Sequence, residues 1–164
     1  MGGMDRVRYP AFRMGATPAV CLLLLAGCHH SPIEGKSVAE WEKQLREGDV
    51  IAQAQAALGL SKLGAEAAPA IPALIETLGN TSPLVRQNVC LALGSIGPEA
   101  RSAVKSLTAT LADPIWEVRR QAAVSLGRIG PDARAAVPAL QKATADKHSL
   151  VQKAAKEALK QIGA

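Results

Sequence analysis

The amino-acid sequence predicts an all-α fold, a right-handed α-solenoid of about four helix pairs. Three observations carry this prediction. Gly64, Gly97, Gly130 and Gly163 recur every 33 residues, and Leu60, Leu93, Leu126 and Leu159 recur with them, each four residues earlier. Between these markers, apolar residues fall three and four apart, which lays one stripe along a helix. The chain holds 31 alanines and few β-branched runs, favouring helix over sheet. Repetition at this period reads as a stacked array, because a single unit cannot bury its apolar face alone.

The first 27 residues stand outside the repeat. Arg6, Arg8 and Arg13 precede an apolar run, Pro18 to Ala26, that ends at Gly27-Cys28. A basic segment, a short apolar segment and small residues at the end form the grammar of an export signal. The run is shorter than the roughly 20 residues needed to span a bilayer as a helix. Leu25-Ala26-Gly27-Cys28 resembles the lipobox of bacterial lipoproteins. That resemblance implies cleavage before Cys28, lipidation of its thiol and an extracytoplasmic anchor in the cell envelope, on the outer or inner membrane. Residues 28–36 then form a tether of at most about 26 Å beyond the anchor, with His29 and His30 as solvated linker.

Residues 37–164 read as the repeat domain, with pairs at about 37–64, 65–97, 98–130 and 131–164. The first pair is shorter. Ser37-Val38-Ala39-Glu40 has the capping-box pattern and leads into Trp41 and Leu45, with Trp41 expected in the core of this terminal cap. Gly48-Asp49 makes the turn, and Val50 to Leu63 the second helix. In the next pair the first helix is expected from about Ala67 to Leu78, with Pro72 bending it or delaying its regular start, as Pro138 does two pairs later. The second helix is expected from about Leu84 to Ile96, with Val85, Val89, Ala92, Leu93 and Ile96 as its apolar stripe. Val118, Ala122, Leu126 and Ile129 repeat that stripe, then Val151, Ala155, Leu159 and Ile162. A glycine after each copy suits a left-handed helix end. Asn80, Asp113 and Asp146 close the turns, where their side chains are expected to cap amides of the following helix.

The repeated pattern stands as Asn80…Val85-Arg86…Leu93-Gly94-Ser95-Ile96-Gly97 and Asp113…Val118-Arg119…Leu126-Gly127-Arg128-Ile129-Gly130. It resembles the HEAT repeat in its short bacterial, phycobilin-lyase-type form. The last copy departs, with Gln152 for the arginine and Lys160 for the first glycine. Arg86 and Arg119 belong to the pattern, and their expected work is structural, bonding the aspartate or carbonyls of neighbouring turns so that units stack in register. Such arrays mostly present surfaces to partners.

Little here could carry catalysis. No serine or cysteine has an evident base and orienter at fixed spacing. The motifs H-E-x-x-H, C-x-x-C, G-x-G-x-x-G and G-x-x-x-x-G-K-[ST] are absent from the sequence. Cys90 reads as a small buried apolar residue, and His148 lies in the turn before the last helix. No enzyme, no cofactor and no metal site is expected. Trp41 and Trp116 are the aromatics beyond the signal, too few to build a ring-lined pocket or a stacking platform for bases.

The expected binding surface lies opposite the apolar stripe of the second helices, on the concave face that HEAT resemblance assigns to them. Gln87, Arg120 and Lys153 stand at one height, then Leu91, Val124 and Glu157, then Ser95, Arg128 and Gln161. From Arg101 onward eleven bases face five acids, whereas five face eight between Glu34 and Glu99. This asymmetry points to an acidic partner at the C-terminal end, a protein of the envelope or a phospholipid. Trp116 breaks the repeat pattern at a turn, either as an interface anchor or as packing on the adjacent turn. A membrane-tethered, non-enzymatic interaction scaffold is the function expected. The alternatives are an accessory or lyase-like factor for a tetrapyrrole-binding protein, implied by the repeat type, and nucleic-acid binding, which the modest charge and few aromatics oppose.

Overall fold

The computed structural model describes residues 35–164; the signal, Cys28, His29 and His30 lie outside the described residues. Eight α-helices follow one another as α1 (Val38–Glu47), α2 (Val50–Leu63), α3 (Ile71–Thr77), α4 (Pro83–Ile96), α5 (Val104–Thr110), α6 (Trp116–Ile129), α7 (Val137–Ala143) and α8 (Ser149–Ile162). They form an α-solenoid of four pairs. The second helices α2, α4, α6 and α8 lie against one another along their length, and the first helices meet the next unit less extensively. Leucines and isoleucines at repeat positions, among them Leu60, Leu74, Leu93, Leu107, Leu126 and Leu140, are fully buried between the two layers.

The start of each pair differs from the expectation. A regular first helix beginning near Ala67 is replaced by a seven-residue 3-10 segment, at Gly64–Ala70, Gly97–Ala103 and Gly130–Ala136, and the α-helix starts after it. The chain enters each segment through a glycine and then meets Pro69, Pro98 or Pro131, which cannot donate to an α-helical ladder. Pro72 and Pro138 sit at the second position of α3 and α7, where no donor is missed. Regular α-helix thus begins around them. The second helix of the next pair begins one residue earlier than expected, at Pro83.

The glycines differ as well. Only Gly163, after α8, adopts the left-handed helix end, with φ 80° and ψ 42°. Gly97 (φ 79°, ψ −140°) and Gly130 (φ 76°, ψ −143°) sit in a region open essentially to glycine alone. The difference follows from the local bonds: the Gly163 and Ala164 amides both return to the Leu159 carbonyl and close the helix, whereas Gly97 and Gly130 open 3-10 segments.

The second helices approach closely through small residues. A Cβ on Gly94 would lie 2.9 Å from the Ser125 Cα, and one on Gly127 would lie 2.9 Å from the Ala158 Cα. Lys160 takes the same position in α8, against which no further helix packs among the described residues. At the other end Gly59 meets the Trp41 ring, 2.7 Å from a virtual Cβ, so α1 covers the open side of α2 with a tryptophan. Trp41 is 3% exposed and completes the core of this end. The capping box of α1 is formed, with the Ser37 amide donating to Glu40 Oε2 at 2.6 Å and the Glu40 amide to Ser37 Oγ at 3.3 Å.

Gly130 separates backbone strain from crowding, because no atom lies within 4 Å of a Cβ placed there. Gly130→Ala should cost about 1–3 kcal/mol, and Gly163→Ala about 1 kcal/mol, as read from urea denaturation midpoints. A larger loss for Gly163→Ala than for Gly130→Ala would contradict this account of the two glycines.

Candidate functional site

Two features recur at each junction between units, a polar ladder inside the turns and a solvent-facing surface on the second helices. The ladder comes first, because it positions the surface. Asn80, Asp113 and Asp146 do not cap helix amides as expected. The Asp113 Oδ1 accepts from the Ile115 amide at 2.9 Å, and the Asp146 Oδ1 from the His148 amide at 2.8 Å. Each bond closes a two-residue turn just ahead of the helix, because the side chain is too far upstream to reach the first helical turn.

The carboxylates are then free to receive an arginine from the preceding unit. Arg86 donates through Nε and Nη2 to Asp113, at 2.7 and 3.0 Å, and through Nη1 to the carbonyls of Asn80 and Thr81. Arg119 repeats this on Asp146, at 2.8 and 2.9 Å, with Nη1 on the carbonyls of Asp113 and Pro114. Each guanidinium therefore ties its own turn to the next. Neutral amides finish the ladder at both ends: Asn80 Nδ2 donates to Gln53 Oε1 at 2.8 Å, and Gln152 Nε2 to the Asp146 carbonyl at 2.6 Å. Gln53 escaped the sequence reading, although it stands 33 residues before Arg86.

These groups are mostly buried, and their protonation follows. Hydrogen bonds from Arg119 hold the Asp146 carboxyl below its usual range, against the opposing effect of burial. For Asp113, burial pushes the carboxyl upward, but the Arg86 hydrogen bonds and the Ile115 amide outweigh it and the net shift is downward. The partner guanidiniums are correspondingly raised, first by the same hydrogen bonds. Burial pushes the Cys90 thiol up to about 12, so this cysteine is packing rather than a nucleophile.

On the outer side of the second helices, Arg120 and Lys153 line one groove between α6 and α8, of about 280 Å³, together with Val124, Leu150, Glu157 and Gln161. Neither cation has an ion-pair partner among the described residues, whereas Glu157 pairs with Lys160 at 3.7 Å. Gln87, half-buried on α4, and Arg128, exposed near the end of α6, lie outside this groove. The Trp116 ring stacks on His148 of the next turn, with centroids 3.7 Å apart and planes 7° from parallel. One face of the indole is thus spent within the array. No periodic signal marks this stack, since His148 occupies a turn position filled by Ser82 and Ile115 in the other copies.

A larger cleft of about 670 Å³ lies on the opposite side, over the Arg119–Asp146 rung, between the ends of α5 and α7. Among the described residues no group of three or more His, Cys, Asp or Glu is placed to hold a metal ion. No helix of the described residues is long and apolar enough to cross a membrane.

The HEAT-repeat family model matches residues 38–114 and 104–164. The chain belongs to the HEAT-repeat family. Several solved structures are similar in fold. An engineered protein is 30% identical with a TM-score of 0.66, over 76% of this chain and 62% of that one. A designed armadillo repeat protein in complex with the peptide (KR)4 is 19% identical with a TM-score of 0.69, over 80% and 66%. The CpcE and CpcF complex of phycocyanin lyase from Nostoc sp. PCC7120 is 23% identical with a TM-score of 0.56, over 78% and 65%. The HEAT chain thus spans less than two thirds of each of these neighbours. No curated protein matches it in sequence.

The ladder makes stability depend on pH in one direction. Folded Asp113 and Asp146 titrate below their unfolded value of about 3.9, so their contribution is present above that pH and is lost as pH falls through the depressed values. Urea stability should therefore fall between about pH 5 and pH 2. Arg119→Gln alone should cost about 3–5 kcal/mol at pH 7, because it strands a largely buried carboxylate. Adding Asp146→Asn should restore much of that loss and flatten the acid limb, as the amide pair Gln53–Asn80 does at the first rung. A double variant no better than Arg119→Gln would contradict the ladder.

Proposed function

We propose that this HEAT-repeat chain is a lipid-anchored, non-enzymatic scaffold of a bacterial cell envelope that captures an acidic protein on its second-helix face. The repeat fold suits protein interaction, and the observation that supports this site is the groove between α6 and α8. There Arg120 and Lys153 face solvent together, unpaired, beside apolar Val124 and Leu150. A desolvated acidic side chain entering between two such cations gains charge-assisted hydrogen bonds, which are stronger than neutral ones. A designed armadillo repeat protein of similar fold is in complex with the basic peptide (KR)4; here the exposed charge is positive, so the complementary partner is acidic. The likeness to phycocyanin lyase, at 23% identity, supports the fold and not a tetrapyrrole chemistry.

The lipobox at Cys28 and the short tether support the anchoring. Cys28→Ser should move the chain from the membrane to the soluble fraction on fractionation, and retention on membranes would contradict lipidation.

Crosslinking capture of the full-length protein from its own membranes, read by mass spectrometry, tests the scaffold. A single abundant envelope protein is expected, with capture at least tenfold lower for Arg120→Glu with Lys153→Glu. Undiminished capture by that variant would remove the groove from the account.

A further inference from the structure

The second-helix face carries a row that the groove alone does not include. Ile51, Leu84 and Leu150 occupy the same repeat position, 33 or 66 residues apart, with Glu117 in the remaining copy. All three are well exposed, at 68%, 56% and 45%. Seven residues further along each helix, about 10.5 Å on, comes a second row of Leu58, Leu91, Val124 and Glu157, with Leu58 40% exposed. Between them run Ala54, Gln87, Arg120 and Lys153. Over these three rows α2 and α4 present no charge at all, while α6 and α8 present Arg120 and Lys153 and interrupt both apolar rows with acids. Exposed aliphatic side chains in register across neighbouring helices form a continuous patch, and such patches mark interaction surfaces.

We infer that the partner's docking segment is bipartite, with an aliphatic block seated on the α2–α4 half of this face and an acidic block on Arg120 and Lys153. This rests on the scaffold reading above and adds the chemistry and order of the bound segment. Charge complementarity selects the occupant. A purely acidic segment leaves Ile51, Leu58 and Leu84 wet, and a purely aliphatic one strands both cations under apolar surface without a counter-charge. Neighbouring helix axes lie about 8–10 Å apart, so α2 to α8 spans about 27 Å. An extended segment covers that distance in about eight residues at ~3.3 Å each.

The test uses three labelled synthetic peptides of equal length, titrated by fluorescence anisotropy against the lipid-free chain from residue 29. One joins a leucine–serine block to a glutamate–serine block, one replaces the leucines with serine, and one replaces the glutamates with serine. The two-block peptide is expected to bind at least tenfold more tightly than either single-block peptide. Ile51→Asp with Leu84→Asp, both exposed positions, should reduce its affinity to that of the acidic peptide while leaving the acidic peptide unchanged. Circular dichroism of that variant verifies its fold. An acidic peptide that binds as tightly as the two-block peptide, or unchanged two-block binding by the variant, overturns the inference. In that case continued dependence on Arg120 and Lys153 leaves the scaffold reading standing. If no glutamate-bearing peptide binds in an Arg120- and Lys153-dependent way, both fall.

Discussion

The interaction on which the rest of this structure depends is the pairing of an arginine near the start of one second helix with an aspartate in the next turn. Leucine burial supplies most of the favourable energy, at about 1.5–3 kcal/mol for each fully buried side chain, but burial has no direction. Small-residue contacts such as Gly127 on Ala158 bring helices close without fixing their register; between α2, α4 and α6 single bonds from Asn88 to the Ala54 carbonyl and from Ser125 to the Cys90 carbonyl help to fix it. A bidentate guanidinium–carboxylate contact does not slide, because both nitrogens and both oxygens have fixed places. With its third nitrogen on the carbonyls of its own turn, Arg119 holds two successive turns at one separation. That contact, with the bonds between second helices, holds the second-helix face at regular spacing.

The first and last described units depart from the interior pattern at the ladder positions. At the first rung the charge pair becomes Gln53–Asn80, and at the last Gln152 bonds only a backbone carbonyl. Among the described residues no aspartate stands where a guanidinium at position 152 would reach, so an amide there leaves no unpaired buried charge. The open side of α2 is covered by Trp41 against Gly59, and the open side of α8 carries Lys160 where interior copies need glycine. Each of these departures stands where the described residues offer no further unit to pack against.

Much of this was legible in the sequence, since a 33-residue period shows which positions are equivalent. It located the eight helices, the terminal cap and the Arg86 and Arg119 pattern. The 3-10 segments were not legible, because Ala67, Ile71 and Leu74 satisfy a helical spacing equally well. What decides there is the glycine backbone at Gly64, Gly97 and Gly130, which only coordinates reveal. The groove residues Arg120 and Lys153 followed from periodicity. The apolar row of Ile51, Leu84 and Leu150 did not, since an exposed leucine looks the same in sequence as a buried one. Nor did the Trp116–His148 stack, which joins the first residue of α6, expected in the turn, to the residue just ahead of α8.

These elements give the proposed function its physical basis: a rigid face, set by the ladder, on which apolar and basic positions keep fixed distances. Native-state hydrogen exchange resolved unit by unit, comparing the parent chain with Arg119→Gln, tests that claim most directly. In a stack held by neighbour contacts, loss of this rung should lower protection of the His148 amide and of α7 and α8, while α2 and α4 keep theirs. Unchanged protection at His148, or an equal fall in all four units, would contradict the account.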